Sequence, residues 1–480
     1  MTDFLLVAWV SVLIELRRFG WMFGLGRRWK PGEKLRLFFA GYNGTRNTGS
    51  DVRVQEMLRQ IRLVLGAENV DFSVSTMSFD RTRGYFEGTR QTHLPDAFPP
   101  FLFHEVAAHH GVIACEGSMF KSKFANALTT FFIGALGLAS AQNKLSLAYG
   151  SEAGAMEPLI RRMCARYVKD SLVITRNVES QTVLSDLGID TELGTDTAWT
   201  FEPYPPEYAR GALRDAGWDG STPILALCPI HPFVWPVRAS LGKLAARLTT
   251  GAYKESQYRG PYFFSSGAEV DRKYRHYIAA FTKSTAAFRQ RHSVFPILVA
   301  MERLDAVACR DIAAELPGLP IFTSDDYDMF QMVAILRQSS LMVSSRYHAI
   351  VTSMPALVAS GGVTMDERIR NLMRERGHDH LFLTVDAPDL EPKMLQMMET
   401  LAREADSIRQ GIGETVVRNL KVMARMGTFL EDAIRRTYPE FPLRPGVLSW
   451  EDYLPPLSEN LRGLLQAYDA DEVASRSATG

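Results

Sequence analysis

The residues best suited to chemistry lie in one short stretch, 344–349, with the sequence Ser-Ser-Arg-Tyr-His-Ala. It follows an apolar run at 341–343 and precedes an apolar helical pattern at 349–354, which predicts a strand, a tight turn and a helix start. An arginine fork, a histidine and free helix N–H groups around one turn favour binding of phosphate or carboxylate. The histidine can also transfer a proton near neutral pH. The alternative is a polar turn whose arginine and histidine are solvated or cap the helix.

Three more loops have the same position, after a predicted strand and before a predicted helix. The first, 41–50, is rich in glycine and asparagine, residues that tolerate unusual backbone angles, so it can cradle a phosphate or a sugar. The other two, 115–121 and 149–154, add the carboxylates of Glu116 and Glu152. For the first loop, a flexible surface turn is the alternative.

Length and composition narrow the class of protein. The chain has 480 residues, enough for two domains that each bury a core. Its 54 basic residues are balanced by 54 acidic ones, so nothing indicates a nucleic-acid partner. The 4 cysteines are far apart in apolar sequence, without metal-ligand spacing or a disulfide framework, which fits a reducing cytoplasm.

Short apolar runs alternate with amphipathic helical patterns along most of the chain, which predicts parallel α/β layers. A proline-rich stretch interrupts the alternation and predicts a linker between two Rossmann-like domains. Ligands in such sheets bind beyond the carboxyl ends of the strands, so the loops are expected to face a central cleft. The predicted segments are an apolar and basic helical segment at 1–34, an N-terminal domain at 35–200, a linker at 201–222, a C-terminal domain at 223–391, C-terminal helices at 392–436, and an extended tail at 437–480 that frays from about residue 470.

The N-terminal segment is unusual in composition. Residues 4–16 are almost wholly apolar, and arginines and tryptophans follow them up to Lys30. The run is too short to span a bilayer and lacks the basic start and cleavage site of a secretory signal. Two interpretations stay open: a helix anchored at a membrane surface by aromatic and basic side chains, or a helix packed on the protein body or in a dimer interface.

Several of these motifs resemble those of one known family. The loop 43–51 resembles the amino-terminal Asn–Gly–Asp signature of the polysaccharide pyruvyl transferases, and 345–349 resembles their Ser-x-Arg-aromatic/Leu-His-Ala signature. The resemblance extends over roughly residues 35–385. Its other parts are the helix start formed by 174–177, Ser180 and 187–188, the aspartate Asp196, the helix and strand at 329–345, and the segment 365–368.

The chain departs from the family pattern at three places. The usual triple-glycine loop is replaced by 115–118, which reads Cys-Glu-Gly-Ser. The usual lysine is replaced by Arg368, and the familiar Gly-Asp-Glu by Gly49-Ser50-Asp51. The chain therefore resembles a divergent member of the family.

The resemblance implies a GT-B-like α/β fold, in which two Rossmann-like domains face a central cleft. It also implies transfer of pyruvate from phosphoenolpyruvate to two hydroxyls of a sugar, which forms a cyclic ketal. The donor carries a carboxylate and a phosphate, so the site needs at least two cationic groups. A general acid must protonate the enol carbon or the departing phosphate, and a carboxylate must accept the sugar proton. Neither a metal nor a cofactor is expected.

These requirements assign roles to residues on the predicted strand-end loops. His348 is expected to act as the acid, and Glu116, Asp51 and Glu152 are the candidate bases. Sugar hydroxyls bind best to short amides and carboxylates, which assigns the acceptor to the N-terminal domain. The expected catalytic residues are His348, Arg346 and Glu116; the donor-binding residues are Arg346, His348, Ser345, Arg176 and Arg368; the acceptor-binding residues are Asn43, Asn47, Asp51, Glu116 and Glu152.

Two other functions stay open, a GT-B glycosyltransferase that uses a nucleotide sugar and a non-catalytic homologue that acts as a binding protein. The resemblance implies a cell-envelope polysaccharide or its lipid-linked precursor as the acceptor. Phosphoenolpyruvate is a cytoplasmic metabolite. A cytoplasmic enzyme at the inner face of the cell membrane, with the segment 1–34 making peripheral contact or a homo-oligomer interface, satisfies both conditions.

Overall fold

The computed structural model describes residues 2–469 and contains two parallel sheets. The N-terminal sheet has seven strands in the order β3-β2-β1-β4-β5-β6-β7, and every pair in it is parallel. Helices cover both faces, and the central strands are therefore nearly continuous apolar runs. The strands are β1 (Leu35–Asn43), β2 (Val70–Thr76), β3 (Arg90–His93), β4 (Gly111–Ala114), β5 (Leu145–Ser151), β6 (Leu172–Thr175) and β7 (Thr191–Leu193).

The C-terminal sheet has six parallel strands in the order β13-β12-β8-β14-β15-β16. A separate three-stranded antiparallel sheet, β10-β11-β9, lies in an insertion at residues 229–267, for which the sequence predicted no strand. The strands are β8 (Ile224–Cys228), β9 (Arg238–Ala239), β10 (Gln257–Arg259), β11 (Tyr262–Phe263), β12 (Phe295–Ala300), β13 (Ile321–Thr323), β14 (Leu341–Ser344), β15 (Ala359–Thr364) and β16 (Phe382–Thr384).

Helices connect most of the strands, as expected for parallel sheets. The first domain contains α1 (Thr2–Met22), α2 (Thr48–Leu65), α3 (Phe98–Ala108), α4 (Asn126–Ser140), α5 (Pro158–Tyr167) and α6 (Val178–Ser185). Later in the chain come α7 (Pro206–Asp215), α8 (Leu241–Thr250), α9 (Ala268–Arg291), α10 (Asp305–Glu315), α11 (Met329–Arg337), α12 (Tyr347–Ser353), α13 (Glu367–Glu375), α14 (Leu390–Arg403), α15 (Ala405–Thr437) and α16 (Glu459–Tyr468).

Helix α2 begins within the loop 41–50 and packs in the core of the first domain. The sequence predicts a start at Asp51, but the helix begins at Thr48 because the Asn47 side chain accepts a hydrogen bond from the Ser50 N–H at 3.2 Å. Asparagine is a favoured residue at this capping position. The glycine and serine of the loop therefore form the first helical turn, at the carboxyl end of β1.

Two segments predicted as irregular contain helices. The stretch 201–222 includes α7, whose proline occupies the first helical position, where its missing N–H removes no hydrogen bond. The tail predicted at 437–480 includes α16, capped by Ser458, whose hydroxyl accepts from the Leu461 N–H. The fraying predicted from about residue 470 lies outside the described residues.

The long helix α15 returns the chain to the first domain. Gln60 in α2 donates to the Met423 carbonyl at 2.7 Å, and the Tyr438 hydroxyl donates to the His110 carbonyl at 2.5 Å. Both contacts join positions more than 300 residues apart in the chain, 363 and 328 respectively. Both contacts are made to the first domain, so α15 and the residue after it pack on that domain.

Helix α1 packs along α4 through Val7, Val10 and Ile14, which are all buried. Two glycines of α4 allow this approach. A Cβ on Gly134 would lie 2.7 Å from Val10 Cγ1, and one on Gly137 would lie 2.8 Å from Ile14 Cδ1. The opposite face of α1 stays exposed. No helix within residues 2–469 is both long and apolar enough to cross a membrane.

Candidate functional site

A cavity of about 490 Å³ lies where the loops of the two domains face each other. We call it the cleft cavity. Its volume is within the range of small-molecule sites, and both domains contribute to its wall. The side chains of greatest chemical interest on this wall are Asn47, Ser50, Glu116, Arg176, Glu302, Ser345, Arg346, His348 and Arg368.

His348 is held by a carboxylate of the other domain. Strand β14 ends at Ser344, and His348 lies in the first turn of α12, with its Nε2 at 3.2 Å from Oδ2 of Asp196. Burial lowers the pKa of His348 below its ordinary value, and the Asp196 carboxylate offsets only part of that effect. The imidazole is therefore largely neutral at neutral pH in the ligand-free protein.

Asp196 is fully buried in the loop after β7 and binds more than the histidine. Its Oδ2 lies 3.4 Å from Arg53 Nε and 3.1 Å from Arg176 Nη1, and its Oδ1 accepts from the Ala198 N–H. Burial alone would raise the pKa of Asp196, but His348 and the two guanidinium groups hold it well below its usual range. A fixed negative charge therefore orients the imidazole and compensates two buried cations.

Arg176 connects this carboxylate to a second group of charges. It forms an ion pair with Glu152, and its guanidinium lies 4.5 Å from the ring centroid of Tyr347. Lys121 lies 3.4 Å from Glu152 and 3.1 Å from Glu367, a residue of the C-terminal domain. The cations on this side of the cavity are paired with carboxylates of both domains, so these ion pairs connect the two domains.

Arg346 already has its planar fork occupied. Its Nε and Nη2 donate to the two oxygens of Asp305 at 2.7 and 2.5 Å, and Nη2 also lies 2.7 Å from Glu302. The sequence assigns Arg346 to the donor, and in the structure Nε and Nη2 of its fork bind Asp305. Only Nη1 has no hydrogen-bond partner within residues 2–469.

Glu116 and Ser50 form the N-terminal wall opposite the histidine. The Ser50 hydroxyl donates to Oε1 of Glu116 at 2.5 Å, and Asn47 donates weakly to Glu302 at 3.4 Å. Gly49 lies against His348, since a Cβ at this position would be 2.5 Å from the histidine Cβ and Cγ. The glycine therefore allows α2 to approach the imidazole closely. The Ser345 hydroxyl shares a hydrogen bond of 2.7 Å with the Tyr277 hydroxyl.

Three of the predicted acceptor-binding residues do not line the cleft cavity. Asn43 is fully buried and donates to the Ser75 carbonyl, and Glu152 is buried in its ion pairs with Arg176 and Lys121. Asp51 is buried, with neither carboxylate oxygen hydrogen-bonded among the described residues. The structure therefore places these three side chains behind the cavity wall rather than on it.

The environment of Asp51 favours its neutral form. Burial raises the pKa of Asp51 well above its ordinary value, and the charge of Glu116 raises it further, while Arg46 opposes the shift. Asp51 is therefore a poor base for a cavity-bound sugar, and Glu116 is the one candidate base of the three that lines the cavity.

Sequence reasoning missed two contributors. Arg53 lies on α2 beside Asp196 and donates to the carbonyls of Cys115, Tyr149 and Gly150, but it lacks any local motif. The insertion 229–267 adds Trp235 and Tyr258 to the cavity wall, and its aromatic residues were the signal for a packed element there. Within residues 2–469, His, Cys, Asp and Glu form no group of three arranged to hold a metal ion.

Two parallel α/β domains that face a cleft form a GT-B-like fold. A crystal structure assigned as a UDP-N-acetylglucosamine 2-epimerase, from Listeria monocytogenes, is similar over 83% of this chain and 97% of its own, with 11% identity and a TM-score of 0.50. The UDP-GlcNAc 2-epimerase of Neisseria meningitidis is similar over 84% and 100%, with 8% identity and a TM-score of 0.49. At such identities the Listeria structure supports the fold alone. No curated protein matches the sequence.

The family is defined by a sequence match. Residues 117–354 match the family model of the polysaccharide pyruvyl transferases. The matched range includes Arg176, Asp196 and the signature at 345–349, whereas the loop 43–51 precedes it. The chain therefore carries a polysaccharide pyruvyl transferase domain, which confirms the family predicted from the motifs and makes the protein a transferase.

Proposed function

We propose that the protein transfers pyruvate from phosphoenolpyruvate to two hydroxyls of a sugar in a cell-envelope polysaccharide or its lipid-linked precursor. The single observation that supports this most strongly is the position of His348, a cavity-wall histidine held by the buried carboxylate of Asp196. The family match supports the reaction class. The reaction needs an acid that delivers a proton in a site partly closed to water, and this pair has that chemistry.

The protons of the reaction can be assigned to residues on the cavity wall. The methylene carbon of phosphoenolpyruvate takes a proton from His348 while a sugar oxygen bonds the adjacent carbon. A second sugar oxygen then displaces phosphate from that carbon. Both hydroxyl protons leave: Glu116 accepts one, and the other goes to the phosphate. An anionic donor beside His348 raises the imidazole pKa, so the donor itself converts the histidine into the acid.

The N–H groups that Arg346 and Arg368 do not use for their aspartates suit the carboxylate and the phosphate of phosphoenolpyruvate. Arg346 and Arg368 line the cavity, and each uses Nε and Nη2 to bind an aspartate of its own domain, Asp305 and Asp366. Nη1 of each has no hydrogen-bond partner within residues 2–469. The aspartates hold the guanidinium groups in place, so the remaining Nη1 groups can bind a carboxylate and a phosphate without reorganisation of the site.

The test is binding followed by transfer. Titration calorimetry with phosphoenolpyruvate should give saturable binding, and a panel of nucleotide sugars should give none. Separate titrations with pyruvate and with inorganic phosphate show whether binding requires the whole phosphoenolpyruvate molecule or only one of its two parts. Incubation with phosphoenolpyruvate and cell-envelope glycan fractions should then release phosphate and form an acid-labile ketal. Binding of a nucleotide sugar without binding of phosphoenolpyruvate would instead identify a glycosyltransferase.

We also propose that α1 places the enzyme at the inner face of the cell membrane. One face of the helix is packed on α4, and the other exposes large apolar side chains, including Phe4, Leu16 and Phe19. Arginines and a lysine follow at 17–30. An apolar face with adjacent basic residues favours reversible binding to anionic lipid.

Co-sedimentation with anionic liposomes tests the membrane contact. The intact protein should pellet with the vesicles and be released as salt is raised, and a Leu16→Ser, Phe19→Ser double variant should pellet several-fold less. Val447→Ser, which changes a fully exposed apolar residue elsewhere, should not alter pelleting. If the double variant changes only the oligomeric state, the exposed face of α1 is a dimer interface.

A further inference from the structure

The cleft cavity continues beyond the polar residues into an apolar region. We call this region the apolar arm. It lies between the N-terminal domain and the insertion 229–267, and its wall includes Leu6, Trp9, Phe98, Phe131, Trp235 and Val237. None of the proposed catalytic roles uses these residues. Apart from the indole N–H groups of the two tryptophans, these side chains offer no hydrogen-bonding group to a phosphate or a sugar hydroxyl.

Specific contacts close the arm on the side of the insertion. The Val237 N–H donates to the Phe124 carbonyl at 2.9 Å, and the ring centroids of Trp235 and Phe124 are 5.4 Å apart. The Tyr258 hydroxyl donates to that of Tyr42 at 3.1 Å. These contacts join the insertion to the other domain, so the arm is a bounded site rather than a loose gap between loops.

The two charged side chains beside the apolar arm form an ion pair with each other. Arg259 forms an ion pair with Asp96 and also donates to the Leu94 carbonyl at 3.4 Å. The charges of the pair compensate each other, so they leave no net charge to attract an ionic ligand. On the opposite wall, the rings of Phe98 and Phe131 are perpendicular, with centroids 5.3 Å apart.

The outer end of the arm reaches the exposed face of α1. Trp9 lines the cavity and is also 45% exposed, so it belongs to both surfaces. Phe4 and Leu5, one turn earlier on the helix, are 60% and 56% exposed. An apolar path therefore runs from the surface of α1 to the polar end of the cleft cavity, where Glu116 and His348 lie.

We infer that the apolar arm binds the hydrocarbon chain of an acceptor in which the glycan is attached to a lipid. This inference rests on the proposed function. It gives the hydrocarbon chain of the acceptor a binding site inside the protein, separate from the bilayer. A chain in the arm directs the attached sugar to Glu116 and His348. Burial of each methylene should strengthen binding roughly fourfold until the arm is filled.

Soluble alkyl glucosides test the arm without a membrane. Titration calorimetry with methyl, butyl and octyl β-glucoside, each below its critical micelle concentration, should show affinity that rises steeply from methyl to octyl. A matched pair of variants locates the effect. Leu6 and Leu13 lie two turns apart on α1 and are both partly buried, but only Leu6 lines the cavity. Leu6→Asn should therefore weaken octyl glucoside binding at least tenfold, and Leu13→Asn should not.

The outcomes separate this inference from the proposed function. Equal affinity for the three glucosides overturns the arm as a chain site, and so does a chain-length effect that Leu6→Asn leaves unchanged. Absence of phosphoenolpyruvate binding, measured on the same protein, overturns the proposed function instead. When transfer is observed, a longer chain should lower KM for the acceptor and leave kcat unchanged, because the chain binds equally in the ground state and the transition state.

Discussion

Replacement of His348 by glutamine should lower kcat by about 10²–10⁴-fold, the usual contribution of a positioned general acid. Glutamine can still donate to Asp196, so the cavity wall should persist, but it cannot deliver a proton. Phosphoenolpyruvate affinity, measured by titration calorimetry, should change by less than roughly tenfold. Steady-state phosphate release gives kcat. The exposed His276, whose Nε2 hydrogen-bonds to the Ala387 carbonyl, provides the control His276→Gln, with unchanged kinetics.

The pH profile should identify the same histidine. In the free enzyme, burial lowers the pKa of His348 from its ordinary value, so the protonated fraction and kcat/KM fall as pH rises through this lowered pKa. In the donor complex the anionic groups favour imidazolium, so the corresponding fall in kcat should occur at higher pH. His348→Gln should remove both the fall in kcat/KM and the fall in kcat. A variant that retains them, or full kcat, would show that another group is the acid.

Replacement of Asp196 by asparagine should have the largest effect on stability, about 3–5 kcal/mol in the free energy of unfolding. The reason is that breaking a buried ion pair leaves uncompensated charge in a low dielectric. Asp196 compensates Arg53 and Arg176, and all three side chains are at most 2% exposed. Denaturant titration followed by far-UV circular dichroism measures the loss. The folded fraction should also be nearly inactive, since the imidazole loses its anchor.

The direction of the pH effect distinguishes the anchoring role from simple loss of structure. The Asp196 carboxylate raises the pKa of His348, so its removal should shift the fall in kcat/KM to lower pH. Asp170→Asn, at an exposed aspartate without a side-chain partner among the described residues, should change stability by less than about 0.5 kcal/mol. An Asp196→Asn protein as stable as the control would contradict the role of Asp196 as the shared counter-ion.

The sequence by itself was sufficient for the fold class and for the family. Apolar runs, glycine-rich turns and helical stripes are local patterns, and each is produced by interactions between residues close in the chain. The run at 341–343, the turn after it and the helix that starts at Tyr347 therefore follow from local composition. The start of α2 was less accurate: the sequence predicted it at Asp51, and the cap formed by Asn47 places it three residues earlier, at Thr48.

Only the tertiary structure decided which charges meet. His348 and Asp196 are 152 positions apart, and Arg346 and Asp305 are 41 apart; no spacing rule relates them. Their pairing depends on how the two sheets face each other, and that orientation is a non-local property of the packed domains. It paired the Arg346 fork with Asp305 and left Asp51 and Glu152 behind the cavity wall. The packing of the domains also placed α1 beside the insertion 229–267. The sequence could not predict this neighbour, because an apolar helix face favours burial but does not specify which element it packs against.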